Sequence, residues 1–185
     1  MSNIRPTTRT AIIEAAFKTF GQDASASLND VAATAGVGRA TLHRHFKGRD
    51  DLMLELTKIA SREIDEAVAA AVKPATSWTE SLRLSLAAVI PLADRLWFLM
   101  RQPTPPGAEV AALHARQRAE TVEAIDQARK EGAFATDAPT AWIAAVYDAL
   151  IYTGWEAVNA GELTPNQAAD LAWRTLTTGL DGKSQ

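Results

Sequence analysis

The sequence contains no cysteine. That excludes a disulfide framework, a thiolate metal site and a cysteine nucleophile, and it fits a chain that works in a reducing cytoplasm. Histidine is scarce too, with His43, His45 and His114 the only three. Two residues apart on a helix, His43 and His45 diverge by about 200° and cannot share a metal ion. Neither a metal nor another cofactor is expected. No uninterrupted apolar run approaches the roughly 18 residues of a membrane span, and residues 1–10 are polar, so neither secretion nor a membrane partner is expected. Segments that alternate apolar and polar residues are too short for strands, and there is no glycine-rich phosphate loop and no Gly-x-Ser-x-Gly. Glu63, Asp65 and Glu66 imitate a carboxylate cluster, but a charge run on one helix face is ordinarily solvated surface. No catalytic residue is expected and the protein is not read as an enzyme.

What is present describes an ordinary globular chain. Its 185 residues are 47% hydrophobic and 22% charged, enough to bury one core or two smaller ones. The net charge of -3 is unevenly spread. Residues 1–50 hold seven Lys or Arg against four Asp or Glu, a net +3, whereas the remainder holds twelve against eighteen, a net -6. A basic first quarter on an acidic body suggests two jobs, the first directed at a polyanion.

Apolar spacing and punctuation read as helices throughout. Ile12, Ile13, Ala16, Phe17 and Phe20 make an amphipathic helix that Gly21 is expected to stop. Ser27 caps a second, short helix carrying Asp30 at its third position, and Gly36-Val37-Gly38 turns the chain into a third helix over Arg39–His45. A long helix runs from Asp50 to the neighbourhood of Lys73-Pro74. Ser77 and Glu80 form a capping box for the next, which Pro91 should kink or divide near Ile90. Pro103, Thr104, Pro105, Pro106 and Gly107 make a loop, and a helix over 108–131 ends at Gly132. Two further helices follow. One begins with Pro139 just inside its start and has Gly161 just past its end, and the last, opened by Thr164, Pro165 and Gln167, carries its stripe to Leu180.

Residues 28–45 have the length and spacing of a helix-turn-helix. Helices of this kind also occur in ordinary cores, so the outward residues carry the argument. With Leu42 and Phe46 inward, a step of about 100° per residue turns Ala40 and Arg44 outward. Thr41 and His43 flank them, and Arg39 and His45 sit at the margins with reach enough for a phosphate or a base edge. No carboxylate lies on this face. The wording of the segment goes further: Ile12-Ile13-Glu14-Ala15-Ala16-Phe17, then Leu28-Asn29-Asp30-Val31-Ala32-Ala33-Thr34-Ala35-Gly36-Val37, then Thr41-Leu42-His43-Arg44-His45-Phe46-Lys47-Gly48-Arg49-Asp50-Asp51-Leu52. It closely resembles the N-terminal domain of TetR-type transcriptional repressors, with apolar, glycine and basic positions in one register.

The resemblance implies an all-α chain of about nine helices. A DNA-binding domain over 1–50 would precede a ligand-binding and dimerisation domain over 51–185. It implies DNA contacts from Ser27, Arg39, Ala40, Thr41, His43, Arg44, His45, Lys47 and Arg49, made by a two-fold homodimer to an inverted-repeat, double-stranded operator. The chain departs from the family in having His43 where tyrosine is common, Arg49 where lysine is common and Gly38 where a small hydroxyl residue is common. Arg49 keeps the charge and adds a planar fork suited to phosphate.

Every tryptophan lies beyond the helix-turn-helix. Most such residues are simply core, yet Trp97, Met100, His114, Trp142, Tyr147, Tyr152 and Trp155 are placed to line a cavity between helices. An aromatic lining with few charges favours a largely apolar, planar effector. For the dimer interface, Leu150 and Gly154 on the penultimate helix join Ala168, Leu171, Ala172, Thr175, Leu176 and Gly179, which set small residues beside leucines at three and four residue spacings. The expected function is therefore a cytoplasmic DNA-binding regulator, a repressor released from its operator by a small effector. The alternative is a small-molecule-binding helical protein whose DNA affinity is weakened or lost.

Overall fold

The computed structural model describes residues 7–100, 108–134 and 137–179, and all its regular elements are helical. The helices are α1 (Thr8–Gln22), α2 (Leu28–Thr34), α3 (Arg39–His45), α4 (Arg49–Ala71), α5 (Trp78–Val89), α6 (Ala93–Met100), α7 (Ala108–Lys130), α8 (Thr140–Asn159) and α9 (Pro165–Gly179), with a 3-10 turn, Ile90–Leu92, between α5 and α6. The proline-rich loop at 103–107, Leu180 and the Met100 side chain lie outside the described residues.

Local chemistry sets most of these boundaries. The Ser27 hydroxyl accepts from the Asp30 N–H while the Asp30 carboxylate accepts from the Ser27 N–H at 2.7 Å, a complete capping box. The Ser27 hydroxyl and N–H both donate to the Asp30 carboxylate and hold its pKa below the ordinary range. At the other end of α2, Gly36 adopts φ +66, where a side chain would be strained. Its turn is closed by Val37 N–H to Ala32 C=O at 3.0 Å and Gly36 N–H to Ala33 C=O at 3.1 Å. Equivalent bonds close α7, from Ala133 to Ala128, and α8, from Glu162 to Ala157. Pro91 divides the fifth and sixth helices through the 3-10 turn, as its missing N–H requires.

Three boundaries differ from the sequence reading. The first helix passes through Gly21 and ends at Gln22, because the Asp23 N–H still reaches the Thr19 C=O at 2.9 Å. A glycine inside a helix costs only about 1 kcal/mol, which the buried face of α1 offsets. Pro139 is the N-cap of α8 rather than its first residue. The box at Ser77 is half formed: Ser77 accepts from the Glu80 N–H, but the Glu80 carboxylate turns to the Thr76 N–H at 2.8 Å. Glu131, just after α7, supplies the remaining acceptors, taking the N–H groups of Trp78 at 2.9 Å and Thr79 at 2.8 Å.

Packing gathers the buried side chains around two centres. The first joins Ile12, Phe17, Val31, Leu42, Phe46, Leu52 and Leu56 to Phe98 and Leu99. The second joins Leu86, Ile90, Ile125, Ile143, Ile151, Ala168, Ala172 and Leu176. Helix α4 belongs to both: Leu52 and Leu56 lie in the first core, and Val68 packs against the second. The first core therefore extends past residue 50 into α4 and takes in the end of α6.

The stripe on α9 splits into two faces. Ala168, Ala172 and Leu176, four residues apart, are buried against the chain's own core, at 4% exposure for Ala172. Gly154 is buried beside them, and a Cβ built there would meet Ile90 Cδ1 at 3.0 Å and Ala168 Cβ at 3.6 Å. These four residues hold the monomer together and are not available to a partner, contrary to the expectation for them. Leu171, 46% exposed, stands outward with Thr175 and Gly179, and Leu150 is half-buried. The inward stripe repeats every four residues, and Leu171, one position before Ala172, falls about 100° away from it.

Candidate DNA-binding surface and effector cavity

Leu42 and Phe46, 1% and 3% exposed, pin α3 onto the first core. Arg39, Ala40, His43, Arg44 and His45 are left exposed on the far side, with Thr41 half-buried. Two contacts order this face: Arg44 donates to the Thr41 hydroxyl at 3.3 Å, and the Arg39 Nε–H donates to His43 Nε2 at 3.5 Å. Lys47 is exposed in the turn before α4, where its N–H donates to the Asp51 carboxylate at 2.9 Å. The result is a basic outer face on α3 that carries no carboxylate of its own, with Lys47 in the turn beyond it.

Two residues expected on that surface are engaged elsewhere. Arg49 stacks its guanidinium over the Phe20 ring at 4.5 Å and donates to the Ala24 C=O at 2.6 Å and to the Ala26 C=O. It staples the connection between α1 and α2 to the start of α4, which engages two of the donors expected for phosphate. The Ser27 hydroxyl likewise donates to Asp30 at 2.7 Å within the capping box.

A cavity of about 1140 Å³ opens between α4, α5, α6, α7 and α8. This is slightly above the usual range of roughly 300–1,000 Å³ for small-molecule sites. Of the aromatic residues singled out in the sequence, Trp97, His114, Tyr147 and Tyr152 line it. The Trp97 and Tyr152 rings stack at 4.3 Å with 25° between planes. Tyr147 is buried and donates to the Leu82 C=O at 3.1 Å, and burial pushes its phenol well above the ordinary range. His114 Nε2 lies 3.3 Å from the Ser61 hydroxyl, and burial lowers the pKa of its imidazole. Trp142 is 61% exposed and outside the lining, because it sits about 140° around α8 from Tyr147. Trp155 packs in the second core, 5.7 Å from Tyr152, and is not part of the cavity wall.

The sequence reading missed the polar part of this wall and one aromatic. Trp78, at the start of α5, lines the cavity although it is 47% exposed. Asp65 accepts from Gln117 at 2.7 Å and pairs with Arg116 at 3.4 Å. Asp148 pairs with Arg118 at 2.6 Å. Burial raises the pKa of the Asp148 carboxyl and the arginine opposes it. The available signal was a lone charge in an apolar stretch, since Asp148 and Glu156 are the only charged residues of α8.

The same wall is tied to the DNA-binding end. Helix α6 lends Leu96, Trp97 and Leu99 to the cavity, while its Arg95 points to α1 and α4. Arg95 donates to both oxygens of Glu14 at 2.7 Å, to Glu63 at 3.1 Å and to its neighbour Asp94, and it lies 4.5 Å over the Phe17 ring. Burial disfavours the charged guanidinium, but Asp94 and Glu14 outweigh it and keep Arg95 protonated.

A recognition helix with a basic outer face, joined through α4 and α6 to a domain with a cavity, defines a DNA-binding regulator. Comparison with known proteins agrees. Residues 12–56 match the family described as bacterial regulatory proteins, tetR family. Over 180 residues, 97% of this chain and 93% of the relative, the sequence is 29% identical to the HTH-type transcriptional repressor LfrR of Mycolicibacterium smegmatis. It is 34% identical over 121 residues to an uncharacterized HTH-type transcriptional regulator of Mycobacterium tuberculosis, covering 62% of this chain and 57% of the relative. The crystal structure of LfrR from Mycobacterium smegmatis in complex with proflavine superposes with a TM-score of 0.70 at 29% identity, covering 93% of this chain and 95% of that one. A TetR-like regulator from Rhodococcus sp. RHA1, at 22% identity, shares the fold with a TM-score of 0.67 over 98% and 100% of the two chains. The first quarter of this chain carries the tetR-family match, and along nearly its whole length the chain is similar in sequence and fold to a TetR-like DNA-binding transcriptional repressor. Such proteins act by binding, and no catalytic role falls to the residues above.

Among the described residues, no group of His, Asp or Glu is arranged to hold a metal ion, and no helix is long and apolar enough to cross a membrane.

Proposed function

We propose that the protein is a cytoplasmic repressor, released from an inverted-repeat operator when a small, planar, largely apolar effector enters the cavity. The observation that carries this reading is α6, which walls the cavity with Trp97 on one side and grips Glu14 of α1 through Arg95 on the other. A ligand that moves α6 must strain or break that grip, so cavity and recognition helix share one two-state element. The relative LfrR is a repressor with a proflavine complex, which supports both the sign of regulation and the kind of effector.

DNA is read by Arg39, Ala40, Thr41, Arg44 and His45, with His43 and Lys47 on the phosphates. The DNA-binding unit ends near residue 50 in sequence, and the first half of α4 completes its core. Two chains pair through the outer faces of α8 and α9. Trp142 and Leu171 are exposed there on a single chain, and Leu150, Thr175 and Gly179 accompany them. Two-fold pairing sets the half-sites about one helical turn, roughly 10 base pairs, apart.

The test is a gel shift with DNA flanking the protein's own gene, followed by footprinting and by titration with proflavine. A shifted band, a symmetric footprint and release by the dye are expected. Dye binding without any DNA shift would instead identify a small-molecule-binding protein that has lost its operator.

A further inference from the structure

Among the described residues, three carboxylates reach the cavity wall: Asp65, Glu120 and Asp148. Their surroundings differ. The Glu120 side chain is 65% exposed, so water already solvates it. Asp65 is 37% exposed and shared between Arg116 and Gln117. Asp148 is only 17% exposed, and its ion-pair partner among the described residues is Arg118, itself 49% exposed and reaching across from α7. The pair is lopsided. Arg118 can swing back into water at little cost, whereas Asp148 is fixed in the wall and needs a cation wherever Arg118 goes.

The place beside Asp148 is shaped for a particular cation. Tyr152 lies one helical turn further along α8, on the same face, with its ring stacked on Trp97 at 4.3 Å. A carboxylate and an aromatic pair one turn apart match a flat aromatic body carrying a positive charge at its edge. The rings take the plane and the carboxylate takes the charge.

We propose that the effector is a planar aromatic cation whose charge binds Asp148 by displacing Arg118. The cavity is selective because Arg118 occupies the anchor until a ligand cation replaces it. A neutral ligand of the same shape leaves the Asp148–Arg118 pair in place and gains only the aromatic contacts. An anionic one is repelled by Asp148. This inference rests on the cavity being the effector site, and it adds the charge of the ligand and the residue that reads it.

The test measures binding to the full chain of two fluorescent tricyclic probes: proflavine, cationic at neutral pH, and 2-aminoanthracene, uncharged there. Asp148→Asn should weaken proflavine at least tenfold and leave 2-aminoanthracene within about twofold. Arg118→Gln removes the competitor from a half-exposed position, and it should tighten proflavine several-fold with no effect on the neutral probe. If both variants bind both probes as the unsubstituted protein does, the charge anchor is wrong while the cavity reading stands. If Arg118→Gln weakens proflavine, the arginine holds the ligand and displacement is overturned. If the unsubstituted protein binds neither probe, the inference falls together with the reading beneath it.

Discussion

At the DNA-binding end, the side chains that matter stand outward on a helix whose inner face is filled by Leu42 and Phe46, and they lie within nine residues of one another. Beyond it the corresponding groups face inward around a cavity, and each is placed by a distant part of the chain. Arg118 meets Asp148 across 30 residues and Gln117 meets Asp65 across 52. A surface that reads DNA needs only a helix anchored by two apolar residues. A surface that reads a ligand needs several helices to agree on position. The first kind is set by local sequence and the second by packing, so substitutions at the two ends should fail in different ways.

The largest contrast is expected inside the C-terminal half itself. Ala172 is 4% exposed and packed in the second core, so Ala172→Arg buries an unpaired charge and should cost on the order of 3–5 kcal/mol. The melting temperature should collapse. Leu171→Arg, next to it but 46% exposed, should melt like the unsubstituted chain and sediment as a monomer. A stable, monomeric Ala172→Arg would show that the two faces of α9 have been assigned the wrong way round.

That pair of residues also shows how far the sequence could be read. The i, i+3, i+4 spacing on α9 marked an apolar helix correctly but could not separate the face that packs on the chain's own core from the face left outside. Both carry small residues and leucine. The choice depends on where Gly154 and Ile90 sit, and α8 and the 3-10 turn settle it. Trp142 was misplaced for the same reason: helix periodicity fixes an angle relative to neighbours but not which neighbour lies there. The helix-turn-helix was legible because its signals are local: the Ser27–Asp30 box, the Gly36 turn and inward Leu42. Even there the contacts of Arg49 were hidden, since nothing in its position along the chain announces that Phe20 and the carbonyls of Ala24 and Ala26 lie within its reach.

Arg95 joins the two regions, and removing it tests whether they communicate through α6. Arg95→Met keeps the stem over Phe17 but leaves Glu14, Glu63 and Asp94 without their common cation. Because Glu14 is 51% exposed and can find water, the cost should stay near 2 kcal/mol, below that of a fully buried pair. Proflavine should still enter the cavity, but it should no longer release operator DNA. Release with undiminished efficiency in a gel-shift titration would mean that the signal passes elsewhere.

Within the DNA-binding face, Arg44 and its neighbours are expected to divide between bases and phosphates. Arg44 points most directly away from the core and is the candidate for a bidentate guanine contact. Arg44→Ala should then cost about 1–3 kcal/mol at its cognate base pair and relax preference at one or two positions. Competition against operators substituted one base pair at a time would show it. A loss that is equal for every sequence would move Arg44 to the phosphate backbone.

The smallest expected effect separates two basic residues that are two positions apart. Lys47 is exposed in the turn before α4, within reach of a phosphate on bound DNA, so Lys47→Gln should weaken binding a few-fold on every sequence. Each phosphate neutralised contributes about 0.9 to the slope of log K against log salt, and the slope should become shallower by about that much. Arg49 carries the same formal charge, but two of its donors are committed to the Ala24 and Ala26 carbonyls and its plane to Phe20. Arg49→Gln should therefore leave the salt slope unchanged and lower the stability of the DNA-binding unit instead, by about 1 kcal/mol for the lost cation–aromatic contact and hydrogen bonds. Salt titrations and thermal melts of both variants decide the matter. If Arg49→Gln flattens the slope as much as Lys47→Gln does, the guanidinium leaves its carbonyls for phosphate when DNA binds, and the staple is a property of the free protein only.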